Sequence, residues 1–328
     1  MSITRRKFLQ ILSCSGAAVS LSQIWFPEIV QAITKKAGNL PVFWIQGQSC
    51  SGCSVSALNA TYPDIAKVIT EVISLEFHPT VMAAAGDLAL TPLYRGVEKY
   101  RGKFVLVVEG SVPTGGEVFC TVGEAKGKAI SFERWVKDLG MAAKAIINVG
   151  TCSAFGGIPA AQPNPTGAKA VRDIIPGATM INIPGCPPHP DWIVGTIAHV
   201  LLFGLPALDE EKRPKVFFDK VIHENCERRS YFEDKKFAKH FSEEGCLLEL
   251  GCKGPIAHCD VSIRGWNNGV NWCVRSGSPC IGCTEPAFPF DPPAEGLYHR
   301  LAEEKIGGIP WARNLSPTKM ASLVKGRG

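Results

Sequence analysis

Cys50 and Cys53 stand three apart in QGQSCSGCSVSALN, residues 46–59, a glycine- and serine-rich turn that follows the apolar run PVFWI. A C-x-x-C pair serves as a redox dithiol, as half of a zinc site or as part of an iron–sulfur cluster, and alone it does not choose among them. The chain has 13 cysteines, many for 328 residues. Cys152 lies in NVGTCSAFGG, Cys186 in NIPGCPPHPDW, and Cys226 ends HENC, three residues after His223. Cys246, Cys252 and Cys259 punctuate EEGCLLELGCKGPIAHC, and Cys273, Cys280 and Cys283 do the same in NWCVRSGSPCIGC. Cys120 and Cys14 complete the set.

The elements that must position these thiols can be read from the apolar pattern. PVFWIQG, EVISLEFH, KFVLVVEG, AKAIINVG and TMINIPG read as strands, with helices around 54–61, 88–100, 132–139 and 191–203 between them. Near-continuous apolar strands alternating with helices predict an α/β domain, a parallel sheet covered on both faces, over about residues 38–205. Such sheets bind ligands beyond the carboxyl ends of their strands. Cys50 and Cys53 follow the first strand, Cys152 the fourth and Cys186 the fifth, so the topology gathers four distant thiols at one rim.

After the linker GLPALDEEKRPK the texture changes. Residues 206–328 are rich in glycine, proline and cysteine and poor in long periodic segments, so this second domain is expected to be irregular and to depend on bound metal for its fold. Three readings of the thiols compete at this point. Disulfides suit an even count, but C-x-x-C pairs close poorly on one another. Structural zinc usually arrives as two C-x-x-C pairs a short loop apart, whereas the third and fourth rim thiols are single and distant. Iron–sulfur clusters accept scattered thiolates and an occasional histidine. Twelve thiolates would fill three cubanes, yet His189, His223 and His258 each lie within three residues of a cysteine, as ligands or as hydrogen-bonded core residues.

SITRRKFLQ sets Arg5 and Arg6 before a modest apolar stretch, and Val30 and Ala32 bracket Gln31 in a small-residue cleavage pattern. Residues 1–32 therefore look like a twin-arginine export signal. This route carries folded proteins, so export to the periplasm does not force the cysteines into disulfides. Loss of the signal removes Cys14, three positive charges and one negative charge, taking the formal charge from +5 to +3. No basic stripe interleaved with aromatics appears, which argues against nucleic acid as a partner. VGTIAHVLLFGLPAL, the longest later apolar run, falls short of the roughly 18 residues that mark a membrane span.

CSGCS, ISLEFHPTVMAA, VEGSVPT, GTCSAFGGIPAAQPNPTG, PGCPPHPDW, IHENC, LGCKGP, RGWNNGVNWC and CIGC occur in that order. On these motifs the chain resembles, over essentially its whole length after the signal, the small electron-transferring subunit of nickel–iron hydrogenases. QGQSCSGCSVSALN, together with the cysteine at 273, is most similar to the exported nickel–iron–selenium subgroup. The resemblance implies a flavodoxin-like first domain and three clusters. A proximal 4Fe–4S cluster would be held by Cys50, Cys53, Cys152 and Cys186. A distal 4Fe–4S cluster would be held by His223, Cys226, Cys246 and Cys252. A medial cluster would be held by Cys259, Cys280 and Cys283, with Cys273 as a fourth ligand where many family members carry proline; that makes it 4Fe–4S as well. Cys120 is then the thiol left over.

By the same resemblance the chain contributes no catalytic residue. It relays electrons between the nickel–iron centre of a separate large subunit, its obligate partner, and an external carrier such as a periplasmic multihaem c-type cytochrome, for H2 ⇌ 2 H+ + 2 electrons. Two departures matter. Ser49 stands where many members carry glutamate, and Gly52 and Gly157 occupy positions that are cysteines in the oxygen-tolerant membrane-bound branch, whose modified proximal cluster is not expected here. A reading from another class, an exported cysteine-rich binding protein held by disulfides or zinc, fits the same cysteine count.

Overall fold

In the computed structural model of the chain the residues described are 4–6, 9–10, 40–61, 64–289, 297–298 and 300. The apolar stretch and cleavage site of the expected export signal lie outside them.

Five strands form one sheet: β1 Leu40–Gln46, β2 Ile73–Phe77, β3 Val105–Glu109, β4 Ala145–Val149 and β5 Met180–Ile183. Their order is β2-β1-β3-β4-β5, and every neighbouring pair is parallel. This is the flavodoxin-like order, whose ligand crevice opens where the winding reverses, between β1 and β3. The register sets Gln46 beside Glu109 and Glu109 beside Val149, so the carboxyl ends of β1, β3 and β4 finish level. Each strand lies inside one of the five apolar runs, because burial on both faces removes the polar alternation of a half-exposed strand.

Five helices bear on the site: α1 Gly52–Leu58, α2 Gly86–Lys99, α3 Phe132–Ala142, α4 Thr151–Phe155 and α5 Pro190–Phe203. In α3 the buried positions Phe132, Trp135, Val136 and Leu139 repeat at three- and four-residue intervals, giving one apolar stripe against the sheet. The Ser131 hydroxyl caps it by accepting from the Arg134 N–H at 3.3 Å. Helix α5 is buried along most of its length, which explains its uninterrupted apolar sequence. Among the described residues no helix is long and apolar enough to cross a membrane.

Two features were not anticipated by the pattern. Thr121–Ala125 and Lys128–Ser131 pair as an antiparallel hairpin inserted between β3 and α3. Thr121–Ala125 is mostly exposed, so no apolar alternation betrays it. The second feature is the extent of the first compact unit, which runs to Phe217, with the second starting at Phe218. Residues of the expected linker are fixed to the first unit: the Asn182 N–H on the outer strand β5 donates to Lys212 O at 2.9 Å, and its amide donates to Glu211 O at 2.8 Å. Arg213, nearly buried, pairs with Asp209 at 2.7 Å. The linker thus covers the open edge of the sheet, a place that proteins commonly protect.

The second unit holds only short turns and single helical turns within its described part, among them Ile222–Asn225, Arg229–Glu233, Leu247–Leu250 and Val261–Arg264.

Candidate metal centres

The four rim thiols come from three loops that leave the sheet at the same end. Ser51, in the left-handed region at φ 62, turns the chain off β1 so that Cys53 falls in the first turn of α1. Cys152 is the second residue of α4, directly after β4, and Cys186 follows β5. Burial raises the Cys53 thiol far above its ordinary value, and the Glu109 carboxylate, Cys152, Cys50 and Cys186 add to the rise. Burial and Cys186 push Cys152 up to about 12, with smaller contributions from Cys50 and Glu109. Burial and Cys50 raise Cys186. Cys53, Cys152 and Cys186 are thus each raised by at least one other thiol of the set.

Backbone fits closely around these sulfurs. Gly150, at φ 93, faces Cys53 so tightly that a Cβ there would lie 2.5 Å from Sγ. Gly157, at φ 56, would bring a Cβ to 3.0 Å from the Cys152 Sγ. Any side chain at Gly150 or Gly157 would meet a strained backbone and an occupied position.

Beneath Cys53 lies a residue that motif reading passed over. Glu109, wholly buried at the end of β3, accepts from the Cys53 and Ser54 N–H groups at 3.2 and 3.3 Å. It also accepts from Trp44 Nε1 at 2.9 Å, Gln46 Nε2 at 3.1 Å and the Ser54 hydroxyl. His78 Nδ1 accepts from the Thr80 N–H at 3.2 Å, which leaves the proton on Nε2, 3.3 Å from Ser54 Oγ. Burial lowers the His78 pKa against the raising pull of Glu109, in keeping with a neutral ring. The sequence signal was a lone acid ending an otherwise apolar strand, VLVVE.

In the second unit the thiols influence one another, and Cys252 links the run from Cys226 to that around Cys280. Burial raises Cys226 to about 11 and Cys246 to about 12; Cys252 adds to both, and Cys226 adds to Cys246. His223 is 4% exposed and its ring meets Phe232 edge-on at 4.8 Å. Burial, helped by Arg229, lowers it to about 4, so its imidazole is neutral near pH 7, the form that binds metal. Main-chain bonds tie it to the group: its N–H donates to Gly254 O at 3.1 Å, and Cys226 N–H donates to His223 O at 3.4 Å.

Cys259 and Cys280 are fully enclosed and raised well above the ordinary value, first by burial. Cys283 and Cys273 add to the rise at Cys259; Cys252, Cys259, Cys273 and Cys283 add to it at Cys280. Cys273 is raised by burial. Its charge is felt at Cys259 and Cys280 and also at Cys252. Two backbone donors point at sulfur, Cys280 N–H to Cys252 Sγ at 3.3 Å and Gly282 N–H to Cys280 Sγ at 3.4 Å.

The remaining residues stand apart. Cys120 packs against the apolar core of the first unit and is raised by burial alone. His189 caps α5, its Nδ1 accepting from the Asp191 N–H at 3.1 Å, and His258 lies 3.3 Å from Glu285 through Nδ1. All twelve described cysteines are free, and among the described residues no three metal-binding side chains meet closely enough to hold one ion. At about 2.3 Å per zinc–sulfur bond, tetrahedral zinc ligands stand about 3.8 Å apart. In a cubane each thiolate binds a different iron, so its ligands are spaced more widely. Free thiols that raise one another, with backbone donors directed at the Cys252 and Cys280 sulfurs, fit that donor set.

Fold and thiols together define a class, the iron–sulfur electron-transfer subunits of redox complexes. Residues 218–294 match the C-terminal family of the NiFe/NiFeSe hydrogenase small subunit, and residues 50–200 match NADH ubiquinone oxidoreductase, 20 Kd subunit. The periplasmic NiFeSe hydrogenase small subunit of Desulfomicrobium baculatum is 48% identical over 306 residues, covering 88% of this chain and 97% of its own. The Hydrogenase-2 small chain of Escherichia coli strain K12 is 40% identical over 308 residues, 92% of this chain and 80% of its own. The solved NiFeSe hydrogenase of Desulfovibrio vulgaris Hildenborough superposes with a TM-score of 0.75 at 44% identity, over 80% of this chain and 98% of that one. The chain belongs to the family of nickel–iron and nickel–iron–selenium hydrogenase small subunits. Such subunits are part of an oxidoreductase complex and lack its catalytic site. The alternative of a disulfide- or zinc-held binding protein finds no support in these relatives.

Proposed function

We propose that the chain relays electrons through three 4Fe–4S clusters, between the nickel–iron(–selenium) site of a partner large subunit and an external carrier. The observation that supports this reading is that loops leaving one end of the sheet bring Cys50, Cys53, Cys152 and Cys186 together, and that the second unit's thiols influence one another while Cys120 stands apart in the apolar core. Cys50, Cys53, Cys152 and Cys186 would hold the proximal cluster in the flavodoxin-like domain. His223, Cys226, Cys246 and Cys252 would hold the distal cluster, and Cys259, Cys273, Cys280 and Cys283 the medial one, in the second domain. Bound clusters of this kind take up and release single electrons. The chain's own part is to hold them, keep water from them and set their potentials through charge and hydrogen bonds. A neutral imidazole replacing one thiolate makes the distal set one charge less negative, which tends to raise its potential.

Iron and acid-labile sulfide analysis of the purified heterodimer tests the reading. About thirteen irons and twelve sulfides should be found per heterodimer, about four of each per cubane and one further iron from the nickel–iron site. Zinc in their place, or iron for two cubanes only, would overturn it.

The relatives named periplasmic and the paired arginines support export of the folded complex by the twin-arginine route. Arg5→Lys combined with Arg6→Lys should leave both subunits in the cytoplasm. A large subunit that still reached the periplasm would refute shared export.

A periplasmic multihaem cytochrome remains the proposed carrier. Residues 227–245 offer it no preferred charge, since their groups are largely engaged with one another. Arg229 pairs with Glu233 at 3.0 Å and Lys236 with Glu244 at 3.1 Å, while Glu243 accepts from the Lys239 and His240 N–H groups.

A further inference from the structure

Lys253 directly follows Cys252, and its side chain is fully buried. Its Nζ donates to Gly251 O at 2.8 Å and to Leu297 O at 3.3 Å. Its own N–H donates to Cys280 O at 2.7 Å, while the Cys280 N–H donates to Cys252 Sγ at 3.3 Å. Residues 252–253 are thus joined to residue 280 by a reciprocal pair of bonds, with one member of the second thiol group and one of the third at its two ends. A lysine ammonium has donors and no acceptor, and the two main-chain carbonyls suit it in the charged form.

Burying a cation costs several kcal/mol unless negative charge stands near it, and iron-bound thiolates supply such charge. Exposed lysines are screened by water and salt, whereas a charge in a low-dielectric interior acts at nearly full strength on its neighbours.

We propose that Lys253 is a built-in positive charge between the medial and distal sites that raises the reduction potentials of both clusters. Adding an electron beside a fixed cation is favoured, so the charge keeps the exit half of the relay able to accept electrons from the first unit. The inference rests on the ligand sets proposed above.

The test is a redox titration followed by electron paramagnetic resonance, on the intact heterodimer, for the wild type, Lys253→Met and Lys253→Arg. Methionine keeps the length and removes the charge; arginine keeps the charge. In the methionine variant the reduced-to-oxidised ratio of the second-unit clusters at fixed potential should fall at least about threefold, a shift of about 28 mV at 59 mV per tenfold for one electron. Arginine should restore most of it. Should the methionine variant fail to take up its clusters, Lys253→Gln provides the same comparison with a polar, uncharged side chain. Unchanged midpoints with the clusters present overturn the proposal, as does an arginine variant whose midpoints fall as far as methionine's. A wild type without cluster signals from the second unit would instead overturn the ligand sets, and this inference with them.

Discussion

Cys273→Pro is expected to produce, in anaerobically prepared and oxidised complex, the nearly isotropic paramagnetic signal of a three-iron cluster. A 4Fe–4S cubane needs one ligand for each iron, and proline offers no ligand atom. On the proposed ligand sets Cys273 joins Cys259, Cys280 and Cys283, and it contributes to the raised pKa of Cys259, Cys280 and Cys252. Three thiolates left at the site can keep three irons and lose the fourth. Cys273→Ala, which removes the sulfur without constraining φ, should give the same signal and separates ligand loss from a backbone effect. In both variants the medial potential should rise, because a three-iron centre accepts an electron more readily. A strong three-iron signal in undamaged wild type would show instead that Cys273 only packs beside the cluster, as a small buried residue can.

Loss of the buried acid should be as severe, by another route. Glu109 receives the Cys53 and Ser54 N–H groups, the Trp44 indole, the Gln46 amide and the Ser54 hydroxyl. Glu109→Ala strands these donors in a site that is wholly closed. At about 1–3 kcal/mol for each buried group left unsatisfied, two donors left without a partner already cost about 2–6 kcal/mol. The first turn of α1, which carries Cys53, is the segment held by two of the lost bonds. Iron should therefore fall by about four per heterodimer as the proximal set fails, while the second unit keeps its share. Glu109→Gln, similar in shape and still able to accept through one oxygen, should keep the iron and lose less stability. Full iron content and an unchanged melting temperature in the alanine variant would mean that Glu109 does not hold this turn.

The two predictions mark what could and could not be read from the chain. Cys273 was picked out as a candidate because a thiol is visible by type and the family resemblance set it where many members carry proline. The five strands were legible because parallel strands buried on both faces leave continuous apolar runs, as in VLVVE and AIINV. Helix α1 starts at Gly52 rather than at Ser54 because the left-handed Ser51 begins the turn early, a backbone property without a pattern of its own. Glu109 and Lys253 escaped because a charge on one line of sequence says nothing of its burial; only the fold shows that both are enclosed beside thiols. Residues 209–213 read as a linker by composition, yet their carbonyls are taken up by Asn182 on the outer strand. Polar sequence was there the signature of edge-covering chain.

The first thiol group is scattered along the chain: Cys53 and Cys152 have β2, β3 and β4 between them, and Cys186 waits for β5. Closing a longer loop costs more entropy, by about 0.6 kcal/mol for each doubling, and such distant contacts form slowly. The groups in the second unit close over far shorter stretches, from His223 to Cys252 and from Cys259 to Cys283. On the proposed ligand sets, maturation then runs in opposite directions within one polypeptide. The sheet must finish folding before its cofactor can be seated, whereas the loop-built unit has little to fold around until its cofactors arrive. Starving cells of iron should accordingly leave a protease-resistant first unit attached to a second unit that is readily cleaved.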